Sequence, residues 1–235
     1  MRILFNNVFE NASFLATNES LNYPVANLAH PFLRKRFQST STSSVVTASF
    51  TSDQVMSCLF YGFHNFTSMT VVFKNSGGST LLTLNITSPE DIGAEYFTSL
   101  TTVRSVVFTI TGTSGFYLGG VGGGACYAMP DPLAAYSPGN ADNSDFVETP
   151  DGQTLQNYVE PLREYEFGFR DQTGVVYPEI NSMYRSVGVG KPIFMDLYED
   201  NRAKEPPIYG KIMKSLTFPY QPRRHNFTLN IREAR

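Results

Sequence analysis

Glu164 and Glu166 stand two apart in the segment LREYEFGF. On a strand that spacing puts both carboxylates on one face with Cα atoms about 6.6 Å apart, a separation at which a glycosidase pair can be imagined. Such a pair needs a cleft lined by sugar-stacking rings, and the flanking Arg163 and Arg170 suit a solvated sheet edge better. The three histidines, His30, His64 and His225, are scattered, without HExxH or HxH spacing, so a metal site would have to gather them from distant strands. His64, in GFHNF, reads as a satisfied polar or turn residue. No serine sits in a GxSxG elbow. The run Gly119 to Gly124 (GGVGGG) lacks the Lys-Ser/Thr of a phosphate loop and leads into Met129-Pro130 rather than a helix. It reads as a flexible or closely packed glycine turn. Asp196, Glu199, Asp200 and Glu205 surround the turn DLYEDNRAKEPP and read as a solvated acidic loop, with weak calcium binding the remote alternative. No base, nucleophile and oxyanion hole can be assembled from these residues, so no catalytic, cofactor-binding or metal residue is assigned, no cofactor is expected, and the chain reads as a non-enzyme.

Composition narrows the partners. The chain has 235 residues and a formal net charge of −3, which offers no field for gripping phosphates, so nucleic acid is not expected. The one basic triplet, Arg34-Lys35-Arg36, reads as a solvated turn or as ion-pair partners. Cys58 and Cys126 are too few for a disulfide scaffold or a cysteine zinc site, and Cys58, inside VMSCLFYGF, reads as a small buried hydrophobe. No apolar stretch approaches membrane-spanning length. The opening MRILFNNVFENASF is broken by Asn6, Asn7 and Glu10 before a signal-peptide core forms, so cytoplasmic synthesis is expected and the sequons at Asn11, Asn18, Asn65, Asn85 and Asn226 read as chance matches.

The elements that would position any site are strands. With 19 Phe, 13 Tyr and no Trp, the chain is rich in flat rings that pack across sheets. Strands are predicted at Val45–Phe50, Val55–Phe63, Met69–Lys74, Thr80–Ile86, Val103–Ile110 and Phe116–Val121. The turn NSGG makes a hairpin of Met69–Ile86. In VRSVVFTI the face carrying Arg104, Val106, Phe108 and Ile110 is the predicted core face. Ser88–Leu100 is the best helix candidate of the first half, with Ser88 as cap and Pro89 at the first position. From Gly119 the breakers predict a long arm. Strands resume at Leu162–Phe169, Lys191–Tyr198, Pro207–Phe218 and Arg224–Glu233, with a short helix in Pro178–Gly188. The fold class is all-β: an antiparallel β-sandwich (jelly-roll or galactose-binding-like) over 1–125, an extended Gly/Pro-rich arm over 126–160, and a smaller C-terminal β extension over 161–235.

The order of features carries more than any one motif. Asn22-Tyr23-Pro24-Val25-Ala26-Asn27-Leu28, His30-Pro31 and Phe37-Gln38-Ser39 come first. Val45–Phe50, LFYGFHNF (Leu59–Phe66) and MTVVF (Met69–Phe73) follow. FYLGGVGGGACYAMP, LREYEFGF, KPIFMDLYED, Tyr209-Gly210 and a last strand ending in Arg232-Glu233 complete it. This order resembles a family of tailed-bacteriophage virion proteins whose first domain is a galactose-binding (discoidin-like) β-sandwich. The family's usual tryptophan before the first sheet strand is absent here, with Arg36-Phe37 in its place, which puts the sugar-binding capacity of the wider class in question. The resemblance implies a structural component of a virion, in or near the tail, acting through contacts with other virion proteins and with copies of itself. The alternative is a carbohydrate-binding module contributing to host-surface attachment, in which Phe32, Phe37, Tyr61 or Tyr127 stacks on a sugar. On the first reading, Tyr127 and Met129 of the arm are expected to bury themselves in a neighbour.

Overall fold

The structure is a computed structural model and describes all residues except 32–34, 88, 90, 130–136, 142–144, 149–153, 158–161, 172–175, 200–205, 217–224 and 235. Its strands are β1 (Arg2–Leu4), β2 (Ser13–Ala16), β3 (Phe37–Gln38), β4 (Ser43–His64), β5 (Phe66–Lys74), β6 (Thr80–Thr87), β7 (Ile92–Gly112), β8 (Tyr117–Gly124) and β9 (Tyr127–Ala128). These are followed by β10 (Ser137–Ala141), β11 (Asp145–Glu148), β12 (Thr154–Asn157), β13 (Leu162–Asp171), β14 (Pro192–Asp196), β15 (Ile208–Ile212) and β16 (His225–Glu233). The helix α1 (Val176–Val187) precedes β14, and two single turns of 3-10 helix lie at Val8–Asn11 and Val25–Ala29. The chain forms two compact units, one of residues 1–129 with 193–209, the other of 130–192 with 210–234.

The first unit is an antiparallel β-sandwich, as the strand pattern predicts. Its frame is the hairpin of β4 and β7, whose pairing runs from Ser43↔Thr111 to Gly62↔Ile92 with register shifts between Ser49 and Cys58. Bulges of this kind bend a pair of strands. These strands form one continuous seven-stranded sheet, in which the early half of β4 and the late half of β7 join β2, β5 and β6 in one layer and the other halves carry β8 and β3 into the second. The two segments predicted at Val45–Phe50 and Val55–Phe63 are therefore one strand. The core between the layers includes Phe9, Phe37, Val46, Met56, Phe73, Phe108 and Phe116. Val106, Phe108 and Ile110 are buried, on the predicted core face. The NSGG hairpin forms, with Gly78 at φ +80°, where glycine has no Cβ to clash.

Ser88–Leu100 is not helical among its described residues: Ile92 onward belongs to β7, because Ile92 and Ala94 bury themselves opposite Gly62 and Phe60 on β4. The glycine run is not a flexible turn either. It continues the strand predicted at Phe116–Val121 as β8, which pairs with β4 from Leu118 to Gly124 and with β3 at Tyr117 and Leu118. A Cβ on Gly122 would stand 2.5 Å from the Phe194 ring, and one on Gly123 would stand 2.5 Å from Met56 Cε. Glycine is what lets layers close onto both faces of β8 at once. One of those layers is β1 with its partners β9 and β14, reached through Phe194, whose ring packs 5.0 Å from that of Phe60.

The second unit is built on β13, paired with β10 on one side and β16 on the other, and β16 also takes residues 210–212 of β15. Tyr165, Phe167, Phe169, Phe227, Leu229 and Ile231 are buried. The predicted short helix is α1, which buries Ile180, Met183 and Val187 at helical spacing and ends at Gly188 with φ +56°. Residues 126–160, expected as an arm, carry β9, which pairs with β1, β10, which pairs with β13, and the hairpin of β11 and β12.

Candidate functional site

The residues singled out for chemistry are mostly drawn into structure. Glu164 is ion-paired with Arg232 across from β16, and Arg163 pairs with Glu233 at 3.0 Å. Because β13 has a neighbour on each side, the Glu164–Glu166 face lies within a sheet and is not an edge, a correction to the sequence reading. It lines an open groove of about 360 Å³ with Lys214, Asn230 and Arg232 and no exposed aromatic ring. The acidic turn is also not simply solvated. Asp196 is fully buried and accepts hydrogen bonds from the Tyr96 hydroxyl (3.0 Å) and the Tyr198 N–H (3.2 Å). Glu199 takes the Arg2 guanidinium at 2.9 Å, and this hydrogen bond raises the arginine's pKa further. Asp200 and Glu205 lie outside the described residues.

Of the aromatics proposed to meet a sugar, Phe37 and Tyr61 are in the core, and Phe32 lies outside the described residues. Tyr127 stacks on Phe5 at 5.1 Å and Met129 is buried, its N–H donating to the Met1 carbonyl. The stretch expected to reach a neighbour is folded onto its own unit. His64 is buried with its ring stacked on Phe66 at 3.9 Å. Cys58 is buried as expected, and a hydrogen bond with Cys126 together with burial pushes its thiol pKa up. Among the described residues no cluster of three or more His, Cys, Asp or Glu side chains is placed to hold a metal ion.

A polar and aromatic surface forms elsewhere, on the outward side of β3 and β8. Phe37 and Leu118 pair across these strands and point into the core. Side chains alternate along a strand, so Arg36 and Gln38, flanking Phe37, face outward together with Tyr117, the partner of Gln38. Tyr23 joins them because its carbonyl accepts the Gln38 N–H at 3.1 Å. The Arg36 guanidinium carbon lies 4.4 Å from the centre of the Tyr117 ring and 5.1 Å from that of Tyr23.

The positions are fixed by backbone bonds from three directions. Asn65 brackets Tyr117, its side-chain oxygen accepting the Tyr117 N–H at 2.7 Å and its own N–H donating to the Tyr117 carbonyl at 3.3 Å. The preceding Phe63 sits at φ +54°, a conformation uncommon for a bulky residue, as the chain crosses from one layer to the other. Asn27 donates to the Arg36 carbonyl at 3.0 Å, and Glu19 accepts the Val25 N–H at 2.9 Å, tying down the strap that carries Tyr23. Gln38 donates to the Gly115 carbonyl at 3.1 Å. The guanidinium of Arg36 itself makes no hydrogen bond or ion pair with any described residue. The Tyr23 and Tyr117 rings lie against its faces and leave the in-plane N–H donors open.

Sequence reasoning noted Tyr23 within a motif and Arg36 within a basic run, expecting the latter to be solvated or ion-paired. It passed over Tyr117 and the grouping. The alternation Arg36-out, Phe37-in, Gln38-out is the available signal, and the strand predicted at Phe116–Val121 holds Tyr117, but nothing in the sequence pairs the two stretches.

No protein-family model matches the chain, and no curated protein sequence matches it. Among solved structures it is similar to the lectin domain of lectinolysin complexed with Lewis B antigen, at 9% identity and a TM-score of 0.44, over 50% of this chain and 95% of that one. It is similar to chitosan-binding module 1 of a chitosanase/glucanase from Paenibacillus sp. IK-5, at 17% identity and a TM-score of 0.44, over 52% and 99%. A Streptococcus pneumoniae fucose binding module is similar at 7% identity and a TM-score of 0.43, over 50% and 93%.

Proposed function

We propose that the chain is a non-catalytic carbohydrate-binding module that contributes to attachment at a host surface, with the Tyr23, Arg36, Gln38, Asn65 and Tyr117 face as its contact. The observation that carries this reading is the Arg36 guanidinium, held against two half-exposed tyrosine rings with its hydrogen-bonding edge uncommitted among the described residues. Sugars offer apolar C–H faces and rings of hydroxyls, and are held by aromatic side chains beside a few fixed polar groups. Rigid Tyr side chains supply contact area at low entropic cost. The ordered backbone beneath the face means that little has to be immobilised on binding.

The test is a glycan array on the whole chain, repeated with Tyr117→Ala. Saturable binding that the substitution weakens supports the reading, while no binding to any glycan, or binding indifferent to Tyr117, removes it. The non-catalytic part is checked by release of reducing ends from bacterial surface polysaccharide. Release that disappears in Glu164→Gln or Glu166→Gln would make the chain an enzyme.

The second reading is a structural virion component that acts through other virion proteins and copies of itself. It is supported by the order of sequence motifs. Its physical argument from a free glycine-rich arm is gone, since Tyr127 and Met129 are spent within their own unit.

A further inference from the structure

Resting on that reading of the β3–β8 face, we infer that its ligand is an acidic sugar, a uronic-acid residue or a similar carboxylate-bearing unit, and that Arg36 grips the carboxylate. A neutral glycan is read by mixed donors and acceptors. This face is unbalanced toward a cation whose counter-charge is missing. The chain carries a net charge of −3, yet Arg36 has no acidic partner among the described residues. The acids near this end do not supply one. Glu19 accepts the Val25 N–H, and Asp91 enters only through its carbonyl, which accepts the Phe63 N–H at 2.8 Å.

The neutral groups beside Arg36 are partly used. Gln38 has its amide nitrogen on Gly115 and Asn65 its amide oxygen on Tyr117. What is left is the Gln38 oxygen and the Asn65 nitrogen, enough for a hydroxyl or two. The main recognition element is a planar fork of N–H donors. Packing against Tyr23 and Tyr117 limits the motion of this group and keeps water off its faces, while its edge matches a planar carboxylate by two parallel hydrogen bonds. Charge-assisted bonds of this kind contribute roughly twice as much as neutral ones.

The experiment is isothermal titration of the whole chain with an oligogalacturonide and with its methyl ester, which keeps ring and length but removes the charge. A sulfated neutral oligosaccharide of the same length forms a third arm. The acid form is expected to bind at least about tenfold more tightly than the ester, in line with a hydrogen bond to a charged group, and more tightly than the sulfated sugar, whose tetrahedral anion matches the planar fork less well. Arg36→Ala abolishes that preference and Arg36→Lys, which keeps the charge but loses the fork, restores only part of it. A melting temperature unchanged in Arg36→Ala shows that the fold is intact. Ester binding as tight as the acid, sulfate binding as tight as the carboxylate, or a preference that survives Arg36→Ala overturns the inference. If the chain binds neutral glycans through Tyr117 but not the acid, the acidic-sugar inference falls and the carbohydrate reading stands. If no glycan of any class binds, both fall.

Discussion

Replacing Gly123 by alanine tests whether the glycine run is packed strand or slack chain. An alanine Cβ there would lie 2.5 Å from Met56 Cε, 2.7 Å from Phe9 Cε2 and 3.3 Å from the Cys58 carbonyl oxygen, where ordinary contact begins near 3.4 Å. The methionine end can swing away. Phe9 cannot move so freely, because it is fully buried and its ring already packs 5.6 Å from Phe50 and 5.8 Å from Phe108. Overpacking of a filled core costs about 1–3 kcal/mol. Losing a glycine from the unfolded chain offsets about 0.4–1 kcal/mol of that. The net loss is about 1–2 kcal/mol, which for a chain of this size lowers the melting temperature by roughly 2–8 °C. Thermal melts followed by circular dichroism measure it, with Gly77→Ala as the control, since a Cβ in that turn meets only the Asn75 side chain at 3.5 Å. If Gly123→Ala melts with the wild type, β8 is not clamped between two layers, and the argument that positions Tyr117 fails with it.

Tyr127→Ala combined with Met129→Ala is expected to destabilise the isolated chain by about 2–5 kcal/mol, the range for truncating buried side chains, with a matching fall in urea midpoint. An unchanged midpoint would return the segment to an interface role. Glu233→Ala should cost about 1–3 kcal/mol because it removes an almost fully buried carboxylate that accepts from Arg163 at 3.0 Å, whereas Glu164→Ala should cost less than about 1 kcal/mol at its half-exposed pair. Equal losses in denaturant titrations would contradict the burial argument. Cys58 should resist iodoacetamide in the native protein at mildly alkaline pH and react only on unfolding, since burial and its hydrogen bond with Cys126 hold the thiol protonated. Rapid native labelling, read by mass spectrometry, would show that this packing is wrong.

Much of the fold was legible because it is local. Alternation in VRSVVFTI marks a half-buried strand, NSGG marks a hairpin, and the Ile180, Met183 and Val187 spacing marks a short helix. Three features were not legible, and each was decided by partners far away in sequence. Ser88–Leu100 carries helix-start residues, but Ile92 and Ala94 are taken up by β4 some thirty residues earlier. Glycines in a row read as a turn, flexible or closely packed, because sequence does not show that Phe194 and Met56 close in from opposite faces of a strand. Asp196 reads as a solvated acid until Tyr96 is seen donating to it in the interior. The candidate site was hidden for the same reason. Tyr23, Arg36 and Tyr117 come from three separate stretches, and they share a face only through the pairing of β3 with β8 and the bond from the Gln38 N–H to the Tyr23 carbonyl.

The central claim is that the Tyr23, Arg36 and Tyr117 face binds carbohydrate. The most direct measurement is saturation-transfer NMR of an oligosaccharide with the wild-type chain and with a Tyr23→Ala, Arg36→Ala, Tyr117→Ala triple variant shown to be folded. Transfer to the sugar protons in the wild type and its loss in the variant is the predicted result. Equal transfer in both, or none in either across acidic and neutral sugars, would contradict it.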